Sequence, residues 1–156
     1  MNNDLIIHTD GGARGNPGPA AIGVVIKKSG KLIHEFGLTI GESTNNVAEY
    51  RAVAEALKWL KQYCVTPACR QGRCHVDPCL RRDDMFHVTF YLDSLLVVNQ
   101  LNGLFKIKDQ KLRELNFNIK ILEQEVGGEI LYHAISRTEN KRADFLVNQA
   151  LDDSNK

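Results

Sequence analysis

Long apolar runs are missing from this sequence: nothing in its 156 residues approaches the ~20 consecutive apolar positions that a membrane-spanning helix needs. The opening stretch, MNNDLIIHTD, also lacks the basic-then-apolar pattern of a secretory leader, so no membrane association is expected and the cytoplasm is. An excess of either sign of charge is missing, with 20 Lys and Arg against 19 Asp and Glu. A net charge of +1 neither demands nor excludes a nucleic-acid partner, but it requires any such site to be a local patch. Cysteine is absent everywhere except CVTPACRQGRCHVDPC, where Cys64, Cys69, Cys74 and Cys79 follow one another at a constant five-residue step. Repeats, low-complexity tracts and linkers are absent too. With 43% hydrophobic and 25% charged residues, this is ordinary globular usage, and one domain spanning 1–156 around a real core is expected, as a monomer.

What is present is periodicity of two kinds. LIIHTD and AAIGVVIKKSGKLIHEFGLTI are rich in branched apolar residues, with Ser29-Gly30 as a turn, and read as three strands of which the last two form a hairpin. From Asn46 the apolar residues Val47, Tyr50, Val53, Ala54, Leu57 and Leu60 recur at helical spacing through Tyr63. Then come a strand (HVTFYLD), a short helix (SLLVVNQL) closed by Asn102-Gly103, and a long helix (DQKLRELNFNIKILEQEV) stopped by Gly127-Gly128. A strand (EILYHAI) and a helix (KRADFLVNQAL) finish the chain. The order βββαβααβα implies an α/β (α+β) fold with a five-stranded mixed sheet flanked by helices.

Four acids fall at the ends of these elements. Asp10 ends the first strand, Glu49 lies in the expected first turn of the first helix, Asp93 ends the fourth strand, and Asp144 lies in the first turn of the last helix. Each has a structural reading. Asp10 precedes Gly11-Gly12 and suits a turn. Glu49 stands three residues after Asn46 as in a capping box, and Asp93 suits the N-cap of a helix starting at Ser94. Asp144 suits a helix macrodipole. Spacing alone does not decide between these readings and a shared chemical role.

The blocks around the acids do. TDGGARGNPGPAAIGVVI, STNNVAEYRAVAEAL, FYLDSLLVVNQL and ENKRADFLVNQAL resemble, in order, the four blocks of the type 1 ribonuclease H family. The resemblance covers nearly the whole chain except the cysteine segment. It implies the ribonuclease H-like fold, with the first and fourth strands side by side, and an endonuclease that cuts the RNA strand of RNA–DNA hybrids to leave 5′-phosphate and 3′-hydroxyl ends. Asp10, Glu49, Asp93 and Asp144 stand where the family has its metal-binding acids. In-line attack on a phosphodiester builds charge on the entering and leaving oxygens, and two divalent ions ~4 Å apart stabilise both. Mg²⁺ is expected, with Mn²⁺ as a substitute, because oxygen-only ligands suit both. Asn16, Asn45 and Asn46 match family positions that contact sugars or bases in the minor groove, where the 2′-hydroxyl marks RNA. Thr44 is a further candidate, for the DNA phosphate pocket.

Two departures from better-known members carry consequences. The basic, tryptophan-containing protrusion of some relatives is replaced by NGLFKIK, which leaves Lys106 and Lys108 as its basic residues and makes hybrid binding salt-sensitive. Some members carry a mobile histidine in the loop before the last acid, and this chain resembles the subgroup that lacks it. His133 ends an apolar strand pattern and reads as a packed residue, with Arg137 or Glu139 available in that loop. A DNA-cutting enzyme of the same fold and a non-catalytic hybrid-binding module are the rival readings. Residues 64–85, with all four cysteines, read as an insertion at the far end of the first helix from Glu49. It is open between a free-thiol loop, a Zn²⁺ site of Cys64, Cys69, Cys74 and Cys79 with His75 or Asp77 as substitutes, and disulfides, which a reducing compartment disfavours.

Overall fold

The computed structural model describes residues 4–64 and 87–156; the readings for Cys69, Cys74 and Cys79 fall outside them, and of Cys64 only the backbone is described. Strands β1 (Asp4–Ala13), β2 (Gly18–Lys28) and β3 (Lys31–Ser43) lead into helix α1 (Asn45–Cys64). After the cysteine segment come β4 (His87–Leu92), α2 (Leu95–Leu101), α3 (Gln110–Val126), β5 (Glu129–Ala134), a short 3₁₀ turn (Arg137–Glu139) and α4 (Lys141–Ser154). The sheet order is β3-β2-β1-β4-β5. Strand β1 runs antiparallel to β2 and parallel to β4, which in turn is parallel to β5. This is the mixed sheet and the element order that the sequence patterns imply.

The two faces of the sheet are packed differently. Helices α1, α2 and α3 share one face, where Leu5, Ile7, Tyr50, Leu57, Leu60, Phe90 and Ile119 build the main core. Each fully buried side chain of this kind contributes roughly 1.5–3 kcal/mol. Helix α4 lies on the other face and needs almost no side-chain bulk beneath it: Ala143 and Leu146 meet Val25, and Val147 and Leu151 meet Ala21. Gly23 makes the approach possible, since a Cβ there would stand 2.2 Å from the Ala143 carbonyl oxygen. No helix among the described residues is long and apolar enough to cross a membrane.

Two helix starts differ from the sequence reading. Helix α1 begins one residue early, because the Thr44 hydroxyl accepts the Val47 N–H at 3.4 Å and the Thr44 carbonyl accepts Ala48 N–H at 3.0 Å. Glu49 therefore sits in the second turn and is not the partner of an Asn46 capping box. Helix α2 is capped by Ser94, whose hydroxyl accepts from Val97 N–H, so Asp93 is not a cap. Both acids are released from the structural roles that their positions suggested.

Candidate active site

Asp10 lies inside β1 rather than at its end, since pairing with β2 continues through Gly11 and Gly12 to Ala13 instead of turning, and it stands level with Gly23 of β2. The parallel register of β1 with β4, in which His8 faces Tyr91, carried two residues further, brings Asp10 level with Asp93. Glu49 arrives from α1 by a backbone contact. A Cβ on Gly11 would stand 2.2 Å from the Ala48 carbonyl carbon and 2.4 Å from the Glu49 nitrogen, so only glycine lets helix and strand meet there. Asp10, Glu49 and Asp93 each present a carboxylate oxygen, and these oxygens lie within 4.8 Å of one another. Asp144, in the first turn of α4, stands outside that trio and adds its charge to Asp10.

Burial makes this cluster electrostatically costly. Asp10 is 6% exposed and Glu49 7%. The Asp10 carboxyl is pushed up to about 7, first by burial and then by the charges of Asp93 and Asp144. Glu49 is held well above the usual carboxylate range, again by burial first and then by Asp10 and Asp93. Among the described residues its buried Oε2 has no hydrogen-bond partner. Arg137 Nε approaches Asp93 Oδ2 at 3.9 Å, but its side chain is almost wholly in solvent, and such a pair contributes little. An oxygen-only donor set with excess negative charge and an orphaned carboxylate oxygen fits a hard divalent cation such as Mg²⁺ or Mn²⁺.

The acids open onto a cleft of about 330 Å³ whose walls include Arg14, Asn45, Asn46, Ser94, Arg137 and Asn148. Two asparagines are pinned by their carbonyl oxygens: Asn45 Oδ1 accepts the Ala13 N–H at 2.8 Å, and Asn16 Oδ1 accepts the Asn45 N–H at 3.3 Å. Both side chains are exposed and keep their amide NH₂ groups as further donors. Thr44 is half-buried and engaged as the α1 cap. Lys106 and Lys108 are exposed on the loop between α2 and α3, outside the cleft wall. His133 corrects an expectation: it is exposed rather than packed, with its ring 5.9 Å from that of Tyr91, and it is not part of the cleft wall.

Several residues of the site escape a sequence reading. Asn140 is 1% exposed and donates from Nδ2 to the Thr9 carbonyl at 3.0 Å, tying the start of α4 to the residue beside Asp10. Asn148 donates to the Asp144 carbonyl at 3.0 Å and to its Oδ2 at 3.4 Å. Arg14 lines the cleft and pairs with Asp152 at 2.5 Å. Only Asn148 had a local signal, being one helical turn after Asp144.

A five-stranded mixed sheet with an acidic cleft where β1 and β4 end defines a ribonuclease H-like nuclease fold. The RNase H sequence profile matches residues 2–70. Ribonuclease HI of Halobacterium salinarum is 35% identical over 146 residues, 93% of this chain; the chain spans 63% of that protein's length. Ribonuclease H of Erythrobacter litoralis is 30% identical over 161 residues, covering 94% of each chain. Among solved structures, LC11-RNase H1 in complex with an RNA/DNA hybrid superposes with a TM-score of 0.81 at 40% identity, covering 97% of this chain and 99% of that one. The chain belongs to the ribonuclease H family, on its ribonuclease HI branch.

Proposed function

We propose that the chain is an endoribonuclease that hydrolyses the RNA strand of RNA–DNA hybrids, with Asp10, Glu49, Asp93 and Asp144 holding two divalent ions. The observation that carries this reading is the buried trio Asp10, Glu49 and Asp93, whose carboxylate oxygens crowd within 4.8 Å with only the solvent-exposed Arg137 beside Asp93, and whose Glu49 Oε2 has no hydrogen-bond partner among the described residues. The hybrid bound by LC11-RNase H1 supports the choice of substrate. Bound there, the ions would supply an activated water and neutralise the charge on the entering and leaving oxygens.

The chain's own residues do the rest. Asp10, Glu49 and Asp93 would hold the ion that activates water, and Asp10 with Asp144 would hold the ion that neutralises the leaving 3′ oxygen. The products carry 5′-phosphate and 3′-hydroxyl ends. Asn16, Asn45 and Asn46 present amide donors, or backbone N–H groups at the start of α1, to sugars and base edges of the minor groove. Thr44 holds that helix start in place beside the DNA strand. Lys106 and Lys108 add phosphate contacts that position the duplex. The 64–85 insertion begins at the end of α1, fifteen residues and ~22 Å of helix from Glu49, and is an accessory element whose replacement by a short Gly/Ser link should leave cleavage within about tenfold.

A labelled RNA–DNA hybrid offered beside plain DNA duplex, with Mg²⁺, Mn²⁺ or EDTA, tests the assignment. Metal-dependent cutting confined to the RNA strand is expected. Cutting of the DNA duplex would make this a DNA nuclease of the same fold, and binding with no cutting under either metal would make it a hybrid-binding module.

A further inference from the structure

We propose that Arg14 and Asp152 form a phosphate clamp on the rim of the cleft, taking the backbone phosphate next to the scissile one on the strand that is cut. The clamp rests on the hybrid-cleavage reading and adds a substrate contact to it. Arg14 directly follows β1, and its N–H donates to the Pro19 carbonyl at 2.8 Å, which closes the turn before β2. The turn is tight, for a Cβ on Gly18 would stand 2.2 Å from the Arg14 carbonyl oxygen. The root of the side chain is thereby fixed. Its tip is fixed too, by Asp152 in the last turns of α4, at 2.5 Å.

That pairing is too exposed to stabilise the fold appreciably, with Arg14 42% and Asp152 64% exposed. Its effect is orientation. A guanidinium carries five N–H donors in a planar fork, and the bond to Asp152 Oδ1 uses one of them, leaving donors for a second anion. Arg14 lines the same cleft as the four acids, which by themselves repel a phosphodiester. Among the described residues, Arg137 is the other cation of that wall, and it is drawn toward Asp93. Arg14 instead is held by a residue outside the acid cluster, so its free edge remains for substrate. The neighbouring Ala13 N–H anchors Asn45, so the guanidinium and the Asn45 amide belong to one frame. A phosphate and the adjoining sugar of a single strand fit that frame.

The test uses the full chain and a hybrid of fixed sequence carrying one methylphosphonate, a neutral linkage, at each position flanking the scissile bond in turn. Arg14→Ala should raise KM about tenfold with kcat within about twofold, and lower the slope of log affinity against log salt by about one. For wild type, one methylphosphonate position should raise KM by a similar factor; in Arg14→Ala the same position should cost nothing further. Arg14→Lys should recover part of the salt slope but little of the KM, because the fork is lost. Asp152→Asn should raise KM about twofold. Unchanged KM and salt slope in Arg14→Ala, or methylphosphonate effects that simply add to it, would overturn the clamp; an unaltered Asp152→Asn would remove Asp152 from it. Should Arg14→Ala fail to fold, Arg14→Lys carries the same methylphosphonate comparison. If wild type leaves the hybrid uncut, the functional reading itself fails, whereas a cut hybrid with an indifferent Arg14 removes the clamp alone.

Discussion

At the N-terminal end of α1 a carboxylate is buried against two others with one oxygen unpartnered, while at its C-terminal end Trp59 is stacked between His34 at 5.2 Å and Tyr63 at 4.9 Å. Charges near that second end are paired at the surface, Lys58 with Glu55 and Lys61 with Glu125. One rigid helix thus joins an end that spends folding free energy to an end that supplies it. Burial without compensation around Glu49 is what the proposed cation would relieve, whereas the aromatic stack lies away from the acidic cleft. Activity and stability should therefore separate along the helix axis.

The largest effect should come at the acid end. Asp10→Asn keeps the volume and removes the charge, so Mg²⁺-dependent cleavage should fall about a thousandfold or more, at least ~4 kcal/mol of barrier. The same variant should melt higher than wild type at pH 8 without metal, because a source of repulsion is gone. A variant that cuts normally, or melts lower, would erase the contrast. At the other end the signs reverse: Trp59→Ala should cost about 2–3 kcal/mol in denaturant unfolding, below the value for a fully buried ring because Trp59 is half-buried, and leave kcat unchanged where the protein is folded.

Acidity gives a smaller and reversible version of the same experiment. Asp10 and Glu49 titrate above their ordinary values when folded, so the fold favours their protonated forms. Their contribution is complete below about pH 4, is lost as pH rises through the folded value of about 7 for Asp10, and Mg²⁺ should replace it only on the alkaline side. His8, whose pKa is lowered by burial and by Lys27, tilts stability the other way below about 6.5. The difference between wild type and Asp10→Asn isolates the acid from His8. That difference in melting temperature, measured in EDTA from pH 5 to 8, should widen as pH rises; a constant difference would sink the assignment. The mildest change lies outside both ends. Lys106→Ala with Lys108→Ala should raise KM a few-fold and flatten its salt dependence while sparing kcat.

Much of this was legible beforehand, for physical reasons that differ by element. Alternation in HVTFYL and the helical recurrence from Val47 to Leu60 are local signals, and the strands and helices follow them. Pairing of β1 with β4, which brings Asp10 to Asp93, is not a local signal and was carried by the family resemblance. The α1 cap was misplaced by two residues because Thr44, Asn45 and Asn46 are all capable of capping, and the hydroxyl that won lies two steps earlier than the amide expected. Glu49 and Asp93 looked like helix-start residues for the same reason. Contacts between remote segments left no trace at all: Arg14 meets Asp152 across 138 positions and Asn140 meets Thr9 across 131.

Gly11 has no side chain to offer a substrate, yet it is the gauge block of the whole site. An atom added there would have to move from 2.2 Å to the ~3.5 Å at which carbons rest, and a displacement of ~1 Å in reacting groups costs on the order of a hundredfold in rate. The spacing between Asp10 and Glu49 is therefore inherited as a dimension of the main chain. Mutation can retune the cleft through the side chains of its walls, but every codon at position 11 other than glycine's resets the ruler by which the acids are placed.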